Sequence, residues 1–247
     1  MAEDPYLCSA SALSRCRAPK SQADHEVWCT GHVIANLMSA AIAKAGEEGV
    51  DISTACVYFV GRAKLYADTG DEQALRLSSG CTLDACLRGA SQRTGVCTEQ
   101  DWPSRTPFWN DRPANALQPS YGAWRVTRWE NVPRSVSAVR KLLNAGIGVG
   151  FVLCMDDHTA QWMKAGGEAL SSLRPIGSPD ETINHAMYIE GYTEDVSFDD
   201  VKGAFAVRNS NGRRHHKNSG MFFMRPSLLR DMCVRDLVAI RGVQKVS

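Results

Sequence analysis

The sequence predicts an α+β protein, helical in its first half and β-rich in its second. Up to about residue 90, apolar residues recur at three- and four-residue intervals, the spacing that places them on one helix face. From residue 147 onward the apolar runs are short and of strand length. Between these halves, Pro103, Pro107, Pro113 and Pro119 punctuate a stretch with little apolar period, which opposes regular structure. Helices followed by strands imply segregated layers rather than alternating βαβ units.

Residues 1–26 are rich in Ser, Ala, Pro and charge without sustained period, and an extended surface segment is expected there. The first helix begins at Cys29. Val33, Ile34, Leu37, Met38, Ala41, Ile42 and Ala45 form its apolar stripe and Gly46 stops it. The unpaired N–H groups and positive dipole end of such a helix stabilise an anion, so a thiol at its start ionises more readily than a free one. Cys29 is therefore a candidate nucleophile. As one of nine cysteines, it has the alternative of being a small buried apolar residue.

A second helix is predicted from Ser53, its N-cap, through Val57, Val60 and Tyr66 to a break at Thr69, Gly70 and Asp71. Residues 71–80 read as a loop. A third helix carries Leu83, Cys86, Leu87 and Ala90 on one face and is closed by Gly95. The junction between a mainly helical lobe, 22–118, and a mainly β lobe, 119–230, is placed in the proline-rich stretch. A short helix at 136–143, with Val139 and Leu142 inward, then leads through Gly146 to strands at 147–155, 185–192, 204–209 and 220–224. The long loop 156–184, with Trp162 and Met163, is expected either to line a cleft or to serve ordinary packing.

Composition narrows the function classes. A hydrophobic fraction of 44% with 22% charged residues is that of a globular chain, and 28 basic against 27 acidic residues leave a net charge of +1. No whole-protein field attracts nucleic acid or an anionic membrane. The basic run Arg213, Arg214, His215, His216 and Lys217 reads as a solvated loop. No apolar run approaches the roughly 20 residues that span a bilayer, and the first residues lack a secretory signal. A soluble, cytoplasmic chain is expected as written, with secretion or processing from a precursor left open. The cysteine spacings contain no Cys-x-x-Cys pair, so a structural zinc site is poorly supported. A Cys8–Cys16 disulfide is left open.

Six histidines are available as a base. His32, three residues past Cys29, would point away from the helix start. His185 opens a strand, where an imidazole can be held rigidly at a cleft rim, and Asn209 ends the next strand run, where its amide can orient that ring. Each has a structural alternative, a hydrogen-bonded strand-end histidine and a turn asparagine.

Together, the order Cys29, His185, Asn209 across a helical and then a β-rich half resembles the papain-like cysteine peptidases. The resemblance runs from about Gln22 to Leu229. Residues 29–35 (Cys-Thr-Gly-His-Val-Ile-Ala) are similar to the start of the central helix in bacterial members. Residues 80–87 and 95–103 (Gly-Val-Cys-Thr-Glu-Gln-Asp-Trp-Pro) are similar to a family helix and the segment after it. Residues 185–192 (His-Ala-Met-Tyr-Ile-Glu-Gly-Tyr) and 208–212 (Arg-Asn-Ser-Asn-Gly), followed by 218–222, match the family's histidine and asparagine motifs. Asn211 stands where the family has a Trp that shields the Asn–His hydrogen bond, Trp28 stands where small residues are usual, and the Cys-Gly-Ser-Cys-Trp signature is absent.

The resemblance implies a two-lobed papain-like fold, with the Cys-bearing helix in the first lobe, an antiparallel β-barrel-like second lobe and the active site in the cleft between them. It implies one catalytic unit over 1–247 with no evident propeptide, and peptide hydrolysis by a Cys29, His185, Asn209 triad. Gln22, seven residues before the thiol where the family's oxyanion Gln stands six before, is the implied oxyanion donor. No metal or organic cofactor is called for. A peptide or protein substrate and a protein inhibitor are the implied partners, with no nucleic acid and no membrane; the oligomeric state is not set. The rival readings are a papain-like fold kept for binding or scaffolding, and a cysteine amidase, transpeptidase or isopeptidase using the same triad.

Overall fold

The computed structural model describes residues 28–75, 80–104, 123–173, 183–199, 201–210 and 220–246. Among these residues there are five α-helices and one seven-stranded sheet. The helices are α1 (Cys29–Lys44), α2 (Thr54–Thr69), α3 (Leu83–Ala90), α4 (Val136–Asn144) and α5 (Asp157–Lys164). The strands are β1 (Trp124–Asn131), β2 (Val149–Met155), β3 (Ala169–Leu170), β4 (Ile183–Phe198), β5 (Val201–Asn209), β6 (Met221–Met224) and β7 (Val234–Lys245).

Local signals set the helix ends. The Ser53 hydroxyl accepts the Cys56 N–H to start α2, and Gly70 closes it in the left-handed conformation with its N–H on Tyr66 O. Thr82 caps α3 by accepting the Ala85 N–H. The helix ends at Ala90, one turn before the expected stop at Gly95. The segment expected to be a loop at 71–80 opens with a 3-10 turn, Glu72–Leu75.

Within the sheet the order is β1-β7-β2-β4-β5-β6-β3, antiparallel except where β3 runs parallel to β6 for two residues. The sheet is open: β1 and β3 form its edges and do not pair with each other. The barrel-like closure expected for this half is thus absent among the described residues, because so short a strand leaves no ladder to carry the sheet round.

Alternate residues of the strands enter two apolar cores, one on each face. Trp124, Val126, Ala186, Tyr188, Val238 and Ile240 face α1, α2 and α3. Phe151, Leu153, Met187, Ile189, Phe205 and Val207 face α4 and Met163 of α5. Two glycines let α1 sit deep between its neighbours: a Cβ on Gly31 would fall 2.9 Å from Tyr58 Cβ in α2, and one on Gly150 would fall 2.7 Å from Val33 in α1. Short bridges, Ile52 with Thr98 and Val96 with Trp124, tie the helical segment to the sheet. No helix among the described residues is long and apolar enough to cross a membrane.

Candidate active site

Cys29 is the first residue of α1, and Trp28 before it supplies no side-chain cap to the helix N-terminus. The indole is instead buried against Tyr58, ring centroids 5.5 Å apart. This accounts for a large residue at position 28: it packs under the helix start rather than standing over the thiol. The Trp28 carbonyl accepts the His32 N–H at 3.0 Å, but the indole caps none of the N–H groups at the helix start, an arrangement that favours negative charge at Cys29.

Strand geometry brings the two other predicted residues together. In the β4–β5 ladder Met187 pairs with Asn209, and His185, two residues before Met187, projects to the same face. His185 and Asn209 are therefore diagonal neighbours, a separation that long side chains can bridge. His185 Nε2 lies 2.8 Å from Asn209 Oδ1, and the Ser210 hydroxyl is 3.5 Å from the same nitrogen. An amide oxygen only accepts, so Nε2 carries a proton and donates it to Asn209. The ring's other nitrogen, Nδ1, is left for the thiol, and Cys29 and His185 lie close enough for each to stabilise the charged form of the other.

The electrostatics of this pair are consistent on both sides. Burial pushes the Cys29 thiol up, but the hydrogen bond and charge of His185, with the backbone N–H groups of Ala186 and Thr30, hold it below its ordinary value. Burial likewise pushes His185 down, while the Cys29 thiol and the Asn209 hydrogen bond raise it above its ordinary 6.5. Each group favours the charged form of the other. Cys29 and His185 keep 9% and 7% exposure while Asn209 keeps none, so the thiol and the ring retain a little open surface and the amide behind them does not.

Asn209 is held from behind. Its backbone N–H bonds Gly220 O at 2.9 Å, and its side-chain Nδ2 points at Met163 Sδ, 3.8 Å away. This contact agrees with the amide orientation that puts Oδ1 on His185. Met163 lies on α5, inside the stretch expected to be the loop 156–184. That stretch contains α5, capped by the Asp156 carboxylate accepting the Thr159 N–H at 2.8 Å, and β3. Trp162 meets Phe222 edge-on at 5.6 Å. Met163 thus packs beneath the site, and Trp162 serves the packing of α5 on β6. Asn209→Ala removes a hydrogen bond to a charged ring, worth about 1.5–3 kcal/mol. It is expected to lower kcat/KM for a peptide substrate by roughly 10- to 100-fold with the alkylation rate of Cys29 reduced in parallel, as stopped-time alkylation would measure.

The other sequence candidates fall elsewhere. His32 is buried with Nδ1 3.5 Å from the Thr54 hydroxyl, a packing role, and His158 is exposed on α5. Gln22, Asn211, the basic run 213–217 and the Cys8–Cys16 pair lie outside the described residues. No group of three His, Cys, Asp or Glu side chains among the described residues is arranged to hold a metal ion. A concavity of about 260 Å³, lined by Leu37, Lys44, Gly146 and Arg241 among others, lies two to four turns along α1 from Cys29 and shares no residue with the site. Sequence reasoning missed Met163 as Asn209's support and Ala186 as a backbone donor. The Asp156 cap and the Gly166–Gly167 stop were the signals for the helix that carries Met163.

The architecture is shared with known cysteine proteases. Xylellain, a cysteine protease from Xylella fastidiosa, matches with a TM-score of 0.67 at 15% identity, over 95% of this chain and 89% of that one. The cysteine protease and lectin-like domains of Cwp84, a surface layer associated protein of Clostridium difficile, match with a TM-score of 0.71 at 17% identity, over 94% of this chain and 50% of that one. A clostridial Cwp84 cysteine protease after propeptide cleavage gives 0.67 and 17%, over 94% of this chain and 56% of that one. The chain spans about half the length of both Cwp84 chains. No protein-family model matches the sequence, and no curated protein matches it significantly. The chain has the papain-like protease fold.

Proposed function

We propose that this chain is a cysteine peptidase that hydrolyses peptide bonds through a thioester acyl-enzyme. The observation that carries this is the His185 ring held 2.8 Å from Asn209 Oδ1 beside Cys29 at the start of α1, with ring and thiol each stabilising the charged form of the other. In this reading the Cys29 thiolate attacks the carbonyl carbon, forming the C–S bond, and the carbonyl electrons move onto oxygen. The Cys29 N–H at the helix start, with Gln22 as the proposed second donor, stabilises that oxyanion; losing one such donor typically costs about 3 kcal/mol of barrier. As the C–N bond breaks, imidazolium His185 gives its Nδ1 proton to the leaving amine. Neutral His185 then takes a proton from water, whose oxygen attacks the thioester and releases the acid, restoring the thiolate–imidazolium pair. Asn209 keeps the ring in plane throughout, the orienting role in such triads.

A broad thiol-directed epoxide tests the proposal. Stoichiometric labelling is expected at Cys29, detected by intact mass and peptide mapping, with peptide hydrolysis abolished in step. Cys29→Ala is expected to lose both while keeping its melting temperature within a few degrees, the thiol being small. Absence of labelling and hydrolysis at every pH between about 5 and 8, the window where a thiolate–imidazolium pair would be populated, would instead favour a fold retained for binding.

A further inference from the structure

The described residues hold six cysteines besides Cys29, and two of them stand together against α2, the helix packed on the one that carries it. Cys81 and Cys86 are five residues apart, and their sulfurs are 3.6 Å apart. Thr82, which caps α3, lies between them, so the chain turns at this point and both thiols come to face α2. The space there depends on Gly61: a Cβ at that position would fall 2.6 Å from Cys86 Sγ and 3.1 Å from Cys81 Sγ.

The two thiols are unlike. Cys86 is fully buried, whereas Cys81 is partly exposed. Beside Gly61, Arg62 is buried with its guanidinium 5.2 Å from the Tyr58 ring centre and its Nε donating to Ala74 O at 2.7 Å. The Cys86 hydrogen bond, the Thr82 N–H and the Arg62 charge together hold the Cys81 thiol below its ordinary value against the opposing effect of burial. The same hydrogen bond, with burial, raises Cys86. An accessible thiol with thiolate character, set beside a buried partner within reach, is the arrangement of an oxidant-sensing cysteine and its resolving cysteine.

We propose that Cys81 and Cys86 form a hydroperoxide-reactive dithiol site, at which Cys81 is oxidised first and Cys86 closes a disulfide with it. In the first step the Cys81 thiolate attacks the terminal peroxide oxygen. An S–O bond forms, the O–O bond breaks, and the alcohol or water leaves after taking a proton. In the second, the Cys86 sulfur attacks Cys81, the S–S bond forms, and the S–O bond breaks, with the hydroxyl leaving as water after taking the Cys86 proton. Overall two thiols and one hydroperoxide give one disulfide, one alcohol and one water, with two electrons passing from sulfur to oxygen. The site is coupled to α1, because the Thr30 hydroxyl donates to the Cys86 sulfur at 3.7 Å and oxidation changes that acceptor beside the residue following Cys29. This chemistry is independent of any hydrolysis by Cys29.

Peptide mapping of the full chain provides the test. Trypsin releases residues 77–88, which contain Cys81 and Cys86 and no other cysteine. The reduced protein is treated with a small excess of hydrogen peroxide, denatured and alkylated. Peptide 77–88 is expected to lose two hydrogens and escape alkylation about tenfold faster than the peptides carrying Cys56, Cys97, Cys154 and Cys233 are oxidised, and dithiothreitol should restore it. In Cys86→Ser, Cys81 should instead be trapped as a dimedone adduct. The proposal is overturned if peptide 77–88 remains fully alkylated, if Cys81 proceeds to sulfinic acid in the native chain without forming the bridge, or if it bridges to another cysteine. Because the native chain alone gives a decisive result, the proposal does not depend on the folding of the serine variant.

Discussion

His185→Asn is expected to lower kcat/KM for a peptide substrate by on the order of 10⁴-fold or more, the scale seen when a triad member is removed. The same substitution should move the pH profile of Cys29 alkylation to the alkaline side of an ordinary thiol. The sign follows from the opposing effects at the site. Burial disfavours the Cys29 thiolate, and the hydrogen bond and charge of His185 overcome it. Without the imidazole the burial remains and the main compensation is gone, so the thiol should titrate above its ordinary value instead of below it. In the native protein the acid limb of the expected peptidase activity should mark ionisation of Cys29 below its ordinary value. The basic limb should mark loss of the His185 proton above 6.5, and activity is expected to fall outside this window on both sides. Iodoacetamide alkylation followed across pH in both proteins, with melting temperatures as a control for folding, measures the shift. An unchanged alkylation profile in His185→Asn would break the link between ring and thiol on which the mechanism depends.

Much of this site was legible in the sequence, for local reasons. Cys29 heads an apolar stripe of period 3.6, and His185 and Asn209 stand at the ends of strand-length runs, so their spacing and order could be read. The parts that were not legible depend on tertiary contacts. Met163 acts through packing beneath Asn209, and Ala186 through its backbone N–H, neither of which leaves a residue-type signature. Strands β1 and β7 escaped because their alternation is broken. The β1–β7 ladder shifts register between Val126 and Arg128 and again between Arg128 and Trp129. The β2–β7 ladder shifts between Gly150 and Val152, and Asp236 in β7 has φ +54°. Each irregularity moves the following side chains to the other face. β7 also lies beyond Leu229, where the family resemblance ends, yet it is paired on both sides, between the edge strand β1 and β2.

Removal of Glu190 should have the largest effect on stability. Glu190 in β4 accepts two hydrogen bonds from Arg208 in β5, Nε to Oε2 at 2.6 Å and Nη2 to Oε1 at 3.0 Å, with side-chain exposures of 5% and 13%. The pair is bidentate and desolvated, so its net contribution to stability is modest, because the attraction mainly offsets the cost of removing both charges from water. Removing one member is a different matter. Glu190→Ala leaves the guanidinium buried without its carboxylate, which typically costs 3–5 kcal/mol, or roughly a 10 °C fall in melting temperature for a chain of this size. Replacing both, as in Glu190→Leu with Arg208→Met, should recover most of that loss, since neither side chain then needs a charged partner. Thermal and urea unfolding of the single and double variants would test this, and a single variant within about 0.5 kcal/mol of the native protein would contradict it. Position makes the pair relevant to the site. Arg208 directly precedes Asn209, and Glu190 stands five residues beyond His185, so the bond clamps β4 to β5 where the ring and its orienting amide must stay in register. Glu190→Ala should therefore lower kcat even below the unfolding transition, while the double variant, with the clamp replaced by packing, should keep more of it.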